Sequence, residues 1–117
     1  MPRDFKLYLE DMAEAIKKIQ RYTLGLSLQQ FSNNEQVVDA VVRNLEVIGE
    51  AVKRIPEEMC QRDTSIEWRK IAGLWDILAH EYFGIDAEII WDFVWNKLPS
   101  LEKNIHKLLA DSAEGSG

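Results

Sequence analysis

The stretch Asp4-Phe-Lys-Leu-Tyr-Leu-Glu-Asp-Met-Ala-Glu-Ala-Ile-Lys-Lys-Ile-Gln-Arg-Tyr-Thr23 decides the fold class. Its apolar residues fall at Phe5, Tyr8, Leu9, Met12, Ile16, Ile19 and Tyr22. Steps of three and four place them on one stripe of an α-helix, with charged residues on the other side. Such a helix needs a partner to cover its stripe. Gly25 just beyond it predicts a C-terminal stop.

Working outward, the same period returns twice more. Asn33 or Asn34 can cap a second helix that runs to about Ile55 and stops before Pro56. Its stripe is Val38, Val41, Val42, Leu45, Ile48, Val52 and Ile55. Gly49 in mid-helix costs roughly 1 kcal/mol relative to alanine, which suggests close approach of another helix. Leu26 to Asn33 reads as a connection with Phe31 tucked against the bundle. Residues 56–66 read as a loop with a short turn at Glu57–Cys60.

A third helix is expected from Ser65–Glu67 to about Tyr82, carrying Trp68, Ile71, Ala72, Leu74, Trp75 and Leu78, with Gly84 ending it. Asp86 can cap a fourth, which Pro99 should kink or divide. The sum is an all-α, antiparallel bundle of four main helices. Residues 1–111 form one domain, and 112–117 read as a disordered tail, with Gly-Ser-Gly at the end resembling a vector-derived scar.

Composition narrows the functional classes. The chain has 117 residues, a length that suits one core, and its formal charge of −6 disfavours a broad basic surface for nucleic acid. Cys60 is the single cysteine, so no internal disulfide can form and a reducing cytoplasm is the expected setting. No apolar run approaches the roughly 18 residues of a membrane span, and the N-terminus lacks a signal-peptide core. No glycine-rich phosphate loop and no Cys/His zinc spacing occurs, so neither metal nor cofactor is expected.

Other features have bland readings. His106 on the last helix reads as a surface residue, Glu57-Glu58 as a solvated pair, and Lys17, Lys18 and Arg21 as a solvated basic face. Tryptophans 68, 75, 91 and 95 fit either core packing or a protein–protein surface. Trp91 and Trp95, four apart, share a helix face.

The chemically informative segment is Ile71-Ala-Gly-Leu-Trp-Asp-Ile-Leu-Ala-His-Glu-Tyr-Phe-Gly-Ile-Asp86. His80 can exchange a proton near neutral pH. Tyr82 lies two residues on, where a hydroxyl could reach a phosphate or accept a modification. Taken alone, His-x-Tyr fits a capping histidine beside a packed tyrosine at least as well as a site.

The surroundings add to this. With Tyr22-Thr23, Gly25, Phe31, the run Arg43-Asn44-Leu45-Glu46-Val47-Ile48-Gly49-Glu50-Ala51, Trp68-Arg69, Ile71-Ala72-Gly73, and Trp91 through Leu98-Pro99, the chain resembles the HEPN superfamily, specifically its HepT-like group. The resemblance spans about residues 5–109. The family motif is arginine, four residues, histidine, any residue, tyrosine; His80 and Tyr82 match, and Asp76 follows the first position as is frequent in that group.

The resemblance implies a HEPN-like fold and a metal-independent endoribonuclease acting on RNA, the toxin half of a HepT/MntA-type toxin–antitoxin pair. It implies a homodimer whose two motifs converge in a cleft, with an interface around Trp75 to Tyr82. The implied partner is an MntA-type nucleotidyltransferase that attaches AMP to the motif tyrosine, here Tyr82. His80 and Tyr82 would be the catalytic residues. The departure is Trp75, which occupies the arginine position. An indole has one N–H and no charge, so it cannot replace a guanidinium fork on phosphate. Trp75 fits either a naturally degenerate copy or an inactivating change selected against toxicity. The chain is therefore expected to be a weakened toxin; the alternative is a non-catalytic dimeric binding partner and AMPylation substrate of the nucleotidyltransferase.

Overall fold

The computed structural model describes residues 4–62, 64–80 and 86–115. They are all helical or in connections, with no strand among them, as the periodicity requires. Helix α1 (Asp4–Thr23) has the predicted bounds, and its Leu9, Met12, Ile16 and Ile19 are fully buried. Thr23 closes it by donating its hydroxyl to the Ile19 carbonyl at 2.9 Å. Gly25 follows at φ +79°, the left-handed turn that glycine adopts without a Cβ penalty.

The connection expected at Leu26–Asn33 contains a helix of its own, α2 (Leu28–Ser32). Its cause is a capping box. Gln30 N–H donates to Ser27 Oγ at 3.1 Å, and Ser27 N–H donates back to Gln30 Oε1 at 2.9 Å. Phe31 is fully buried, as expected.

Helix α3 (Glu35–Arg54) starts at the Asn34 cap, whose Oδ1 accepts from Val37 N–H at 3.2 Å. Val41, Val42, Leu45, Ile48, Gly49 and Val52 are buried along it, while Val38 is only half-buried. Ile55 leaves the helix in extended conformation before Pro56. The turn at Glu57–Cys60 is a single helical turn, α4, anchored by buried Met59.

Helix α5 (Trp68–His80) follows, and the expected last turn to Tyr82 with its Gly84 stop lies outside the described residues. The fourth expected helix is divided. Helix α6 (Ala87–Asn96) is capped by Asp86 and ends at Lys97, and α7 (Leu98–Gly115) begins directly after it. Pro99 would clash with the Trp95 carbonyl in a continuous helix, whereas in the first turn of α7 its missing N–H costs nothing. Helix α7 runs past Ser112 to Gly115. Ala113 and Glu114 favour helix, and no breaker intervenes.

The core is one continuous cluster. Helix α1 packs between α3 and α7, and α5 packs on α3. Gln20, late in α1, donates to Glu102, early in α7, and Tyr8, early in α1, meets Arg54 at the end of α3. Both pairs are antiparallel.

Candidate functional site

The chemistry-bearing segment sits on α5, so the site depends on what fixes that helix. Its start is pinned by Trp68, whose indole N–H donates to the Cys60 carbonyl at 3.1 Å. Ile66 and Ile71 are buried beneath this end. Glu67, just before the helix, receives Lys70 at 2.6 Å and Lys97, the cap residue at the end of α6, at 3.4 Å. The hydrogen bond from Lys70, with the charges of both lysines, holds this carboxyl below the usual range. Lys97 thereby ties the α6–α7 junction to the start of α5.

Farther along, Lys53 Nζ in the last turn of α3 meets Asp76 Oδ1 at 2.6 Å. The side chains are 36% and 55% exposed, so the pair stands at the surface of the α3–α5 crossing. Asp76 directly follows Trp75 and precedes His80 by one helical turn. The backbones of Trp75 and His80 both belong to α5. Positions 75 and 80 are about 140° apart around an ideal helix, so they need not share a face within one chain. The side chains of Trp75 and His80, and all of Tyr82, lie outside the described residues.

Grooves among the described residues include one beside α5 and one between α1 and α3. One, of about 610 Å³, runs between α5 and the α6–α7 pair over Ile71, Phe93 and Leu101, with Lys70, Asp92 and Lys97 at its rim. The other, of about 370 Å³, lies between α1 and α3 and includes Tyr8, Arg43, Glu46 and Arg54. Periodicity signals neither, because it reads one helix at a time and each groove forms where different helices pack together. The Lys53–Asp76 pair was missed for the same reason.

The remaining sequence-derived positions resolve simply. His106, Glu57 and Glu58 are exposed, and no metal-holding group of carboxylate, histidine or cysteine occurs among the described residues. Lys17 and Arg21 are exposed, with the Arg21 guanidinium 5.5 Å from the Tyr22 ring centre. The described tryptophan side chains differ in burial. Trp68 and Trp91 are half-buried against the core, and Trp91 lies 5.1 Å from the Phe31 ring. Trp95 is 47% exposed. No described helix is long and apolar enough to cross a membrane.

A family model described as ribonuclease HepT-like matches residues 12–108. The chain is similar to a Methanocaldococcus jannaschii protein that carries a provisional RNase name. The two are 41% identical over 112 residues, 95% of this chain and 93% of that protein. A Thermococcus cleftensis protein described as a probable ribonuclease HepT is 41% identical over 108 residues, 92% of this chain and 98% of its own. A provisionally named RNase of Caldanaerobacter subterraneus subsp. tengcongensis is 37% identical over 102 residues, 87% of this chain and 91% of that protein. No solved structure matches the chain.

Proposed function

The chain belongs to the HepT-like ribonuclease family, and from that premise we propose that it is the RNA-cleaving toxin subunit of a HepT/MntA-type toxin–antitoxin pair, weakened by Trp75. The observation that carries this reading is the family match over residues 12–108, which contains the whole His80-x-Tyr82 motif.

In this mechanism two copies form the working unit, because positions 75 and 80, five apart on α5, need not face the same way on one chain. His80 moves the proton that the reacting RNA oxygens must lose and regain. Tyr82 contacts the phosphate. The phosphodiester gathers negative charge on its non-bridging oxygens, and a fixed donor aimed there contributes about 3–4 kcal/mol, or roughly 10²–10³ in rate. Trp75 cannot supply that term. His80 can still transfer a proton in this chain, but little remains to bind or polarise the phosphate.

Control by the nucleotidyltransferase acts on the same residue. The Tyr82 phenol oxygen attacks the α-phosphorus of ATP, pyrophosphate leaves, and the tyrosine carries AMP. The added negative charge then repels RNA from a phosphate-binding cleft and blocks it sterically. Incubation with an MntA-type enzyme and ATP is expected to add one AMP mass, lost in Tyr82→Phe. Modification at Tyr8 or Tyr22 instead would assign the wrong tyrosine.

Trp75 also favours a second reading, in which the chain is a non-catalytic dimeric partner and AMPylation substrate. One paired measurement separates the two. Trp75→Arg is expected to raise cleavage of a labelled RNA by roughly 10²–10³ over the chain as it stands, and His80→Ala in that background to remove it. A silent Trp75→Arg protein that still accepts AMP would establish the binding role. Robust cleavage by the tryptophan form, abolished by His80→Ala, would show the arginine to be dispensable.

A further inference from the structure

The groove of about 610 Å³ beside α5 falls within the range of about 300–1,000 Å³ that small ligands occupy. Its floor is apolar, with Ile71 and Leu101 buried and Phe93 half-buried. The charges around it cancel: Lys70 and Lys97 both pair with Glu67, and Asp92 supplies the second negative charge. Such a rim favours neither an anion nor a cation, so the occupant that suits it is uncharged. Groups that could orient one are at hand. Asn96 and Asn104 each spend one amide N–H, on Asp92 and on Ser65, and each keeps a carbonyl and a second N–H.

Gly73 lines the same groove from α5. Glycine in mid-helix is unfavourable relative to alanine, yet a Cβ at this position would meet no atom within 4 Å. Packing inside the chain does not call for it, whereas a ligand lying against the α5 backbone would. Position 80 is seven residues on, about 20° away around an ideal helix and about 10.5 Å along it. The groove thus borders the stripe of α5 that leads to the His80 position. Position 75 falls on the other side, about 160° from Gly73.

Resting on the RNA-cleaving reading above, we propose that this groove is a base-binding subsite, taking a nucleobase of the RNA next to the phosphate that reacts at His80. A nucleobase is planar and uncharged. It stacks on an aromatic ring such as Phe93 and presents donors and acceptors along its edges to amides such as Asn96 and Asn104. The subsite influences which bases flank the cleaved bond, and it is independent of Trp75.

The test sets a labelled single-stranded RNA of mixed sequence against a ribose–phosphate strand of the same length that lacks bases. Binding to the whole chain is followed by fluorescence anisotropy across a salt series. The RNA is expected to bind more tightly than the abasic strand. Gly73→Leu, which fills the groove, should weaken RNA binding about tenfold, within the range for loss of one base–aromatic stack. It should leave the abasic strand unaffected. The dependence of log affinity on log salt should not change, because no phosphate contact is lost. Phe93→Leu should act in the same direction. Gly73→Leu should melt at or above the parent, since leucine is the better helix former and its Cβ meets no atom.

Equal weakening on both strands, or a flatter salt slope, would overturn the proposal and make the groove a contact for the backbone. Loss of a light-scattering dimer in Gly73→Leu would also overturn it, assigning the groove to protein association. Should Gly73→Leu melt below the parent, Phe93→Leu carries the same comparison between strands. If neither the chain nor Trp75→Arg binds or cleaves RNA, the RNA-cleaving reading falls and the subsite with it. If RNA is bound and both groove variants match the parent, only the subsite falls.

Discussion

Phe31 shows how much one side chain can hold together. It is fully buried, and its ring centre lies 5.1 Å from that of Trp91, tilted by 38°. Trp91 in turn lies 5.5 Å from Trp95, so three rings link the short α2 to the length of α6. Tilted aromatic pairs of this spacing add about 0.5–1.5 kcal/mol beyond the area they bury. Phe31→Ala is therefore expected to destabilise the chain by about 3–5 kcal/mol, the usual cost of emptying a phenylalanine site in a core. Trp95→Ala should cost much less, because that ring is 47% exposed. Urea denaturation of both variants checks the order, and equal losses would mean that the outer ring carries core packing as well. Cys60 makes a contrasting point. Burial, with the Glu57 charge, pushes its thiol above the ordinary value. It is consequently a packing residue at neutral pH and a poor nucleophile.

At the scale of elements, the ends of helices decided most of what the sequence could tell. Caps and breakers act within a few residues, so they can be read locally. Asn34, Pro56 and the left-handed Gly25 each stand at the boundary their chemistry predicts. Asp86 is the cap with the most bearing on the site, because α6 begins there, directly after the motif segment. Its Oδ1 accepts from Glu88 N–H at 2.9 Å. Asp86→Ala should cost about 1 kcal/mol and Asp86→Asn much less, since an amide oxygen can accept the same bond. Chemical denaturation distinguishes them; similar losses would locate the effect in the charge near the helix dipole.

What escaped the reading was of two kinds. Helix α2 has five residues, too few to display a period, and only the Ser27–Gln30 box announced it. The other kind is contact between elements distant in sequence. Nothing along the chain links Lys53 to Asp76, or Trp68 to the Cys60 carbonyl, until α3, α4 and α5 are packed together. The candidate site was thus legible as a motif and as a helix, with His80 on α5 as expected. The α3 lysine that pairs with Asp76 on the same helix as His80 was not.

The whole molecule bears on whether two copies associate. One protomer is elongated, 48 × 29 × 21 Å, and a formal charge of −6 opposes its approach to another. A stable dimer buries about 800 Å² on each partner, a minor part of the 7327 Å² that this protomer exposes. Exposed Ile89 and Trp95 on α6, and Leu24 after α1, show that large apolar side chains remain available on its surface. The proposed mechanism supplies the requirement: arginine and histidine positions about 140° apart on α5 need a second α5 to complete a cleft. Repulsion between like-charged protomers reaches about 30 Å at 0.01 M salt but only about 8 Å at 0.15 M. Association should therefore be tighter at the higher salt, the opposite of what charge-driven pairing would give. Light scattering at micromolar concentration is expected to return twice the 13.6 kDa of one chain at 0.15 M salt, with a larger monomer fraction at 0.01 M. A monomer at both would remove the shared cleft, and with it the proposed pairing of groups from two chains.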